Sequence, residues 1–162
     1  MVKPMFDWIL LDNYRQKLLF IGALIAFFAA IWHWLCIFGG PSWFEFARAP
    51  QIIVQSAQQG TWLAPLGAIV VGGVMFACTL FAFASLGIIA QLPLCKTALI
   101  TISLLCLVRG LMIVPVWLFE LGVIDVFSVI ASVVWFFVGV CYFCGAYESF
   151  QQKNEIGECK LN

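Results

Sequence analysis

Charge is the property that this sequence has least of. Only 10% of the 162 residues are Asp, Glu, Lys or Arg, whereas a soluble domain carries about 25%. The eight basic and eight acidic side chains cancel, so no positive field is present to hold nucleic acid. Hydrophobic residues make up 64% of the chain, more than a core of this size can bury. These proportions exclude an ordinary soluble domain and predict an integral membrane protein.

Long runs without charge predict four transmembrane helices. A spanning helix needs about 20 mostly apolar residues, and such runs occur at 18–38, 64–90, 97–119 and 126–147. None alternates strictly between apolar and polar residues, as a membrane β-strand would. We therefore predict an all-α, polytopic fold that forms a single four-helix transmembrane domain over residues 1–162. The first run is too long for the core of a signal peptide, so we expect it to be retained as an anchor.

The basic residues that flank the spans predict the orientation. Cytoplasmic loops are enriched in Lys and Arg. Six basic residues lie in the N-terminal segment, the loop between the second and third spans, and the tail: Lys3, Arg15, Lys17, Lys96, Lys153 and Lys160. The opposite side contains Arg48 alone. This asymmetry predicts that both termini are cytoplasmic.

The loop between the first two spans contains a short amphipathic segment. Pro50 is suited to open a helix over residues 51–59, and Gly60 is suited to end it. Its apolar side would comprise Ile52, Ile53 and Ala57, and its polar side Gln51, Gln55 and Gln58. We expect this helix to lie flat at the outer interface, with its apolar side in contact with lipid.

Acidic residues are missing from every span, yet Arg109 lies near the middle of the third. An arginine at that depth costs about 2.5–3.5 kcal/mol on insertion scales, so it should face protein or water. One interpretation is structural: Arg109 binds carbonyls and hydroxyls, such as Thr79 or the Leu111 carbonyl, which Pro115 leaves without a helical donor. The other is that Arg109 attracts an anionic lipid headgroup or another anion. The missing carboxylate argues against a pump.

Histidine occurs once, at His33 in the first span. A single histidine excludes a haem with two histidine ligands, and a Ser-His-Asp triad would lack an Asp at membrane depth. The simplest interpretation of His33 is a satisfied polar contact, and a pH-sensitive contact or proton donor is the alternative. Together with Arg109, His33 is a candidate for binding lipid or another ligand.

The seven cysteines do not form a pattern for disulfides or a metal. Only Cys36 is predicted near the outer face, which excludes an internal disulfide there and argues against a quinone-linked thiol oxidase. Cys141 and Cys144 match C-x-x-C, but no second pair follows at ligand spacing. We interpret them as small residues that fill helix contacts, with a thiolate metal site as the alternative, and we predict no metal and no cofactor.

Small residues recur every four positions in three of the spans. They are Gly22, Ala26 and Ala30; Ala64, Ala68 and Gly72; and Ser128 and Ser132. Such stripes let helices approach closely in lipid. Self-association and packing within the chain would both explain them.

Three stretches together carry a resemblance: Ala49–Leu66 (APQIIVQSAQQGTWLAPL), Leu86–Leu94 (LGIIAQLPL) and Leu107–Pro115 (LVRGLMIVP). Their pattern resembles small four-helix inner-membrane proteins of proteobacteria, among them a trimeric protein of Acinetobacter linked with envelope maintenance. The resemblance implies a bacterial inner membrane, a homotrimer and a supporting role in envelope or lipid homeostasis. It carries no catalytic signature and transfers no functional residue.

The function expected from these features is that of a non-enzymatic, homo-oligomeric membrane protein that binds membrane lipids. Nucleic acid is not an expected partner. One alternative is a small channel or transporter for an anionic solute, with Arg109 and His33 lining the path. Another is a thiol redox or metal-handling protein that uses Cys141 and Cys144.

Overall fold

A computed structural model describes residues 14–119 and 125–159, without the side chains of residues 116, 117, 119 and 148–159. Lys3 and Lys160, which contribute to the predicted orientation, lie outside these ranges. The described elements are α-helices in the order α1 Tyr14–Gly39, α2 Pro41–Phe46, α3 Gln51–Gln58, α4 Leu63–Ser85, α5 Cys95–Leu111, α6 Ile113–Phe119 and α7 Val126–Cys159. No strand occurs within the described ranges, which confirms the all-α prediction there.

Four segments are long and apolar enough to cross a membrane, as predicted. They are Tyr14–Gly39, Leu63–Ser85, Cys95–Pro115 and Val126–Tyr147. The second is shorter than the predicted 64–90, because Gly87 takes a left-handed conformation with φ of 71° and ends the helix. Length and composition therefore support a multi-pass membrane protein.

The third span is not the continuous helix over 97–119 that the apolar run predicts. α5 ends at Leu111, a turn follows at Met112, and α6 begins at Ile113. Pro115 explains the break, because its ring removes the N–H that would bond to the Leu111 carbonyl and clashes with that carbonyl.

The chain divides into two compact units, and the boundaries fall within α1 and α4. The terminal unit comprises Met1–Leu24 and Cys78–Asn162, and the central unit comprises Ile25–Ala77.

In the terminal unit, α5 packs closely on α7 through glycine. Ser103 donates its hydroxyl hydrogen to the Gly139 carbonyl at 2.8 Å. A Cβ added at Gly139 would lie 2.9 Å from the backbone nitrogen of Leu107, and one added at Gly110 would lie 2.7 Å from that of Phe136. The two helix backbones can approach this closely only because neither glycine has a side chain.

The first turns of α1 pack on α7 in the same way. A Cβ at Gly22 would lie 2.9 Å from the Cβ of Cys141, and one at Gly145 would collide with the Leu19 side chain. α7 itself begins with a capped end, because Asp125 accepts a hydrogen bond from the Ser128 backbone N–H at 3.3 Å.

In the central unit, the second half of α1 packs on the first half of α4. The Trp34 and Phe76 rings lie 5.8 Å apart, and the Trp34 ring occupies the space beside Gly72 that a side chain would need. A buried cluster of small and aromatic residues completes the unit: Cys36, Phe44, Ala64 and Ala68. The stripes of small residues thus serve packing within the chain, so they give no separate support for self-association.

Candidate functional site

Arg48 has a backbone conformation that usually requires glycine. Its φ is 54°, and it occupies the position that follows the C-cap of α2. The Arg48 N–H donates to the Glu45 carbonyl and the Ala49 N–H donates to the Phe44 carbonyl, both at 3.0 Å. These two bonds define a Schellman motif, whose left-handed residue carries a steric penalty when it has a Cβ.

Two other helices of this chain end with the same motif, and both use glycine. Gly60 follows α3 with φ of 66°, and Gly87 follows α4 with φ of 71°. At the end of α3 the Thr61 N–H donates to the Ser56 carbonyl at 2.9 Å, and at the end of α4 the Ile88 N–H donates to the Phe83 carbonyl at 3.0 Å. Leu94, which precedes α5, is another described non-glycine residue with a positive φ, of 59°. Because strained residues concentrate at functional positions, and because the two comparable helix ends use glycine, Arg48 is a candidate functional residue.

Arg48 lies at the edge of an apolar cavity of about 330 Å³ in the central unit. The cavity is formed between α1, α4 and the segment from α2 to α3. Most of its lining is apolar: Cys36, Phe44, Ala47, Ala49, Pro50, Ile53, Gly67, Ala68 and Val71. The groups in this lining that can carry charge near neutral pH are His33 and Arg48. Such a cavity suits an apolar chain that ends in a polar or anionic group.

His33 is held in place by its own helix. Its Nδ1–H donates to the Ala29 carbonyl, with the nitrogen and oxygen 2.8 Å apart. In the neutral ring this bond leaves Nε2 as an acceptor. The structure thus favours the satisfied polar contact expected for His33 and places the ring at the cavity.

A second, polar cavity of about 470 Å³ adjoins the first. Its lining comprises Glu45, Arg48, Ala49, Gln51, Val54, Gln55 and Gln58. Arg48 and Ala49 belong to both cavities. Gln58 donates from Nε2 to Oε1 of Glu45 at 3.1 Å, which joins the last turn of α2 to α3. The arrangement is amphipathic, with an arginine at the boundary between its apolar and polar parts.

Ser56 holds α3 against the start of α4. Its hydroxyl oxygen accepts the Ala64 backbone N–H at 2.9 Å and is hydrogen-bonded to the Thr61 hydroxyl at 2.6 Å. The bond to Ala64 satisfies one of the backbone donors that the first turn of a helix leaves unpaired. Ser56 therefore fixes α3, which contributes lining residues to both cavities, against the start of α4.

The apolar side of α3 differs from the sequence prediction. Ile53 and Ala57 pack against the cluster of Cys36, Phe44, Ala64 and Ala68 instead of facing away from the protein. Ile52 is 62% exposed. Because Ile53 and Ala57 pack on the cluster, the opposite side of α3 faces the polar cavity. Gln51, Gln55 and Gln58 line that cavity.

Arg109 lies in the last turn of α5, in the terminal unit, and its side chain is exposed. The guanidinium makes no hydrogen bond or ion pair with the described part of the chain. The Thr79 hydroxyl, one suggested partner, donates to the Ala23 carbonyl at 3.3 Å. Among the described residues, the structure therefore shows no partner for Arg109 that would support the structural interpretation.

The C-x-x-C pair does not form a metal centre with other described residues. Cys141 is buried beside Gly22 and Cys144 is half-buried. Among the residues that the structure describes, no group of three His, Cys, Asp or Glu side chains is arranged to hold a metal ion. The contact with Gly22 fits the packing interpretation of Cys141.

The residue that the sequence analysis missed as a site is Arg48. It served only to orient the chain, although it is the sole basic residue on its predicted side. A usable signal was this isolated positive charge just before the predicted helix over residues 51–59. No protein family, no curated protein and no solved structure matches the chain.

Proposed function

We propose that this chain is a non-enzymatic, homo-oligomeric protein of the bacterial inner membrane that binds phospholipid and supports envelope or lipid homeostasis. The observation that carries the proposal is the position of Arg48, which lines both the apolar and the polar cavity. The apolar cavity, Arg48 and the polar cavity follow one another in the same order as the acyl chain, the phosphate and the polar headgroup of a phospholipid.

Each part of the lipid has a matching part of the site. The apolar cavity, at about 330 Å³, falls within the range of about 300–1,000 Å³ typical of small-molecule sites. The planar guanidinium of Arg48 presents donors that suit a phosphate oxygen pair, and its five N–H groups allow it to bind phosphate while it keeps another partner. His33 supplies a second polar group near the phosphate. These roles are binding roles, so the proposal assigns no reaction to the site.

The proposed depth of the site matches a lipid headgroup. The apolar cavity is lined by the last two turns of the first span and the first three turns of the second, and the polar cavity is lined by residues between these spans. With the basic residues of the termini on the cytoplasmic side, α2 and α3 face the opposite side, where α3 lies at the interface. The bound lipid then comes from the outer leaflet of the inner membrane.

Arg109 supports the proposed assembly. It is exposed within a segment that is apolar enough to span a membrane, and a charged side chain that faces lipid at that depth is costly. A second copy of the chain that covers this face would remove the contact with lipid tails. The resemblance described above implies that the assembly is a trimer.

Native mass spectrometry of the gently extracted full chain tests the proposed function. We expect oligomers that carry bound mass equal to that of phospholipids, because the site offers both apolar and phosphate-binding parts. Mild delipidation followed by addition of phospholipid should restore that mass. Monomers that carry no lipid before or after this addition would overturn the proposal.

Arg109→Leu tests the proposed role of Arg109 in assembly. We expect the monomer to keep its helix content, because Arg109 makes no hydrogen bond with the described residues. Membrane insertion should become easier by at most about 2.5–3.5 kcal/mol, the value for a charge at the centre of a span. The oligomer should dissociate at lower detergent concentration than the wild type, as measured by light scattering. Arg109→Lys, which keeps the charge, is the control. An oligomer of unchanged stability in the leucine variant would show that Arg109 has no part in assembly.

A further inference from the structure

We propose that the lipid headgroup bound in the polar cavity carries a primary ammonium, as in a phosphoethanolamine lipid. This inference rests on the proposed lipid-binding function and adds the identity of the headgroup. It is carried by the pairing of Glu45 with Arg48 in one cavity lining.

The charges of the polar cavity match a zwitterion. Its lining contains one carboxylate, Glu45, and one guanidinium, Arg48, and its other polar members are neutral amides. A phosphoethanolamine headgroup has one negative phosphate and one positive ammonium, so each charge meets its opposite. A phosphoglycerol headgroup has only the negative charge, and Glu45 would repel it.

The backbone holds the two charged residues in one turn. The Arg48 N–H donates to the Glu45 carbonyl at 3.0 Å, so both residues belong to one closed turn at the end of α2. The Glu45 carboxylate is further held by Gln58, which donates to its Oε1. The other carboxylate oxygen, Oε2, can accept a hydrogen bond from an ammonium.

The glutamines supply the additional acceptors that an ammonium needs. A primary ammonium has three donors and no acceptor. Gln51 and Gln55 are four residues apart on α3 and both line the polar cavity, so their amide carbonyls lie on the same helix face as each other. A trimethylammonium, as in a phosphocholine lipid, has the same charge but no N–H donor and cannot use them.

The test is a lipid competition on the full chain, with Glu45→Gln as the variant. Delipidated protein is mixed with equal amounts of phosphoethanolamine and phosphoglycerol lipids that have identical acyl chains, and native mass spectrometry measures the ratio bound. A parallel mixture pairs phosphoethanolamine lipid with phosphocholine lipid. We expect the wild type to prefer phosphoethanolamine lipid by about fivefold, the effect of one exposed ion pair. Glu45→Gln keeps a side-chain oxygen for Gln58, so it should fold normally. It should bind both lipids equally, because it loses both the attraction to the ammonium and the repulsion of the phosphoglycerol headgroup.

Three outcomes would overturn the headgroup assignment while the proposed function stands. They are lipid binding without preference in the wild type, a preference for phosphoglycerol lipid, and equal binding of phosphocholine lipid in place of phosphoethanolamine lipid. A preference that survives in Glu45→Gln would exclude Glu45 as its source and is a fourth outcome that overturns the assignment. If the wild type binds none of the three lipids, the proposed function itself fails.

Discussion

Arg48→Gly is expected to weaken phospholipid binding by about 10- to 100-fold. Hydrogen bonds to charged groups contribute about 1.5–3 kcal/mol, and each 1.4 kcal/mol is a factor of ten in affinity. Arg48 is the charged residue that lines both cavities, so its replacement by glycine removes the main hydrogen-bond donor to the phosphate. Titration of delipidated protein with a phosphoethanolamine lipid, followed by native mass spectrometry, measures the change.

The same substitution should raise the stability of the lipid-free protein. Arg48 has φ of 54°, and a left-handed residue with a Cβ costs about 1–2 kcal/mol. Glycine removes this cost and keeps the two backbone hydrogen bonds of the Schellman motif. We therefore expect a small increase in Tm in detergent, together with loss of lipid. A variant that is more stable but binds less cannot owe its weaker binding to unfolding.

Gly60→Ala is the matched control for the conformational effect. Gly60 occupies the equivalent position after α3, with φ of 66° and no atom within 4 Å of an added Cβ. Alanine there should lower Tm through the same backbone penalty and leave lipid affinity unchanged. Arg48→Lys, which keeps the charge without the planar fork, should bind lipid with intermediate affinity. Wild-type affinity in Arg48→Gly would show that Arg48 does not bind the phosphate.

The sequence allowed the number of spanning helices to be predicted, because each apolar run exceeds the length that a bilayer requires. It did not allow the ends of the runs to be predicted, since apolar residues continue past the points where backbone geometry stops the helix. Gly87 ends the second span and Pro115 breaks the third. Both residues were visible in the sequence. Composition alone, however, does not show which glycine or proline within an apolar run ends or breaks the helix.

The site depended on contacts that the sequence does not display. The left-handed conformation of Arg48 accompanies two hydrogen bonds at the end of α2, and the lining of the polar cavity accompanies the packing of Ile53 and Ala57 on the central cluster. The position of Arg109 within an apolar run was predictable. The exposure of Arg109 was not predictable, because the packing of α5 against α7 decides which side of α5 faces solvent or lipid.

Gly110→Ala is expected to destabilise the terminal unit by about 2–3 kcal/mol, the upper part of the range for overpacking. An added Cβ would lie 2.7 Å from the Phe136 nitrogen and 2.8 Å from its Cα, and backbone atoms within a helix cannot move aside as a flexible side chain can. Gly73→Ala adds the same methyl group with no atom within 4 Å, so it should leave stability unchanged or slightly improved. Thermal unfolding in detergent compares the two variants. Equal Tm values would mean that α5 and α7 do not meet at Gly110, and a lower Tm only in Gly110→Ala would establish that contact.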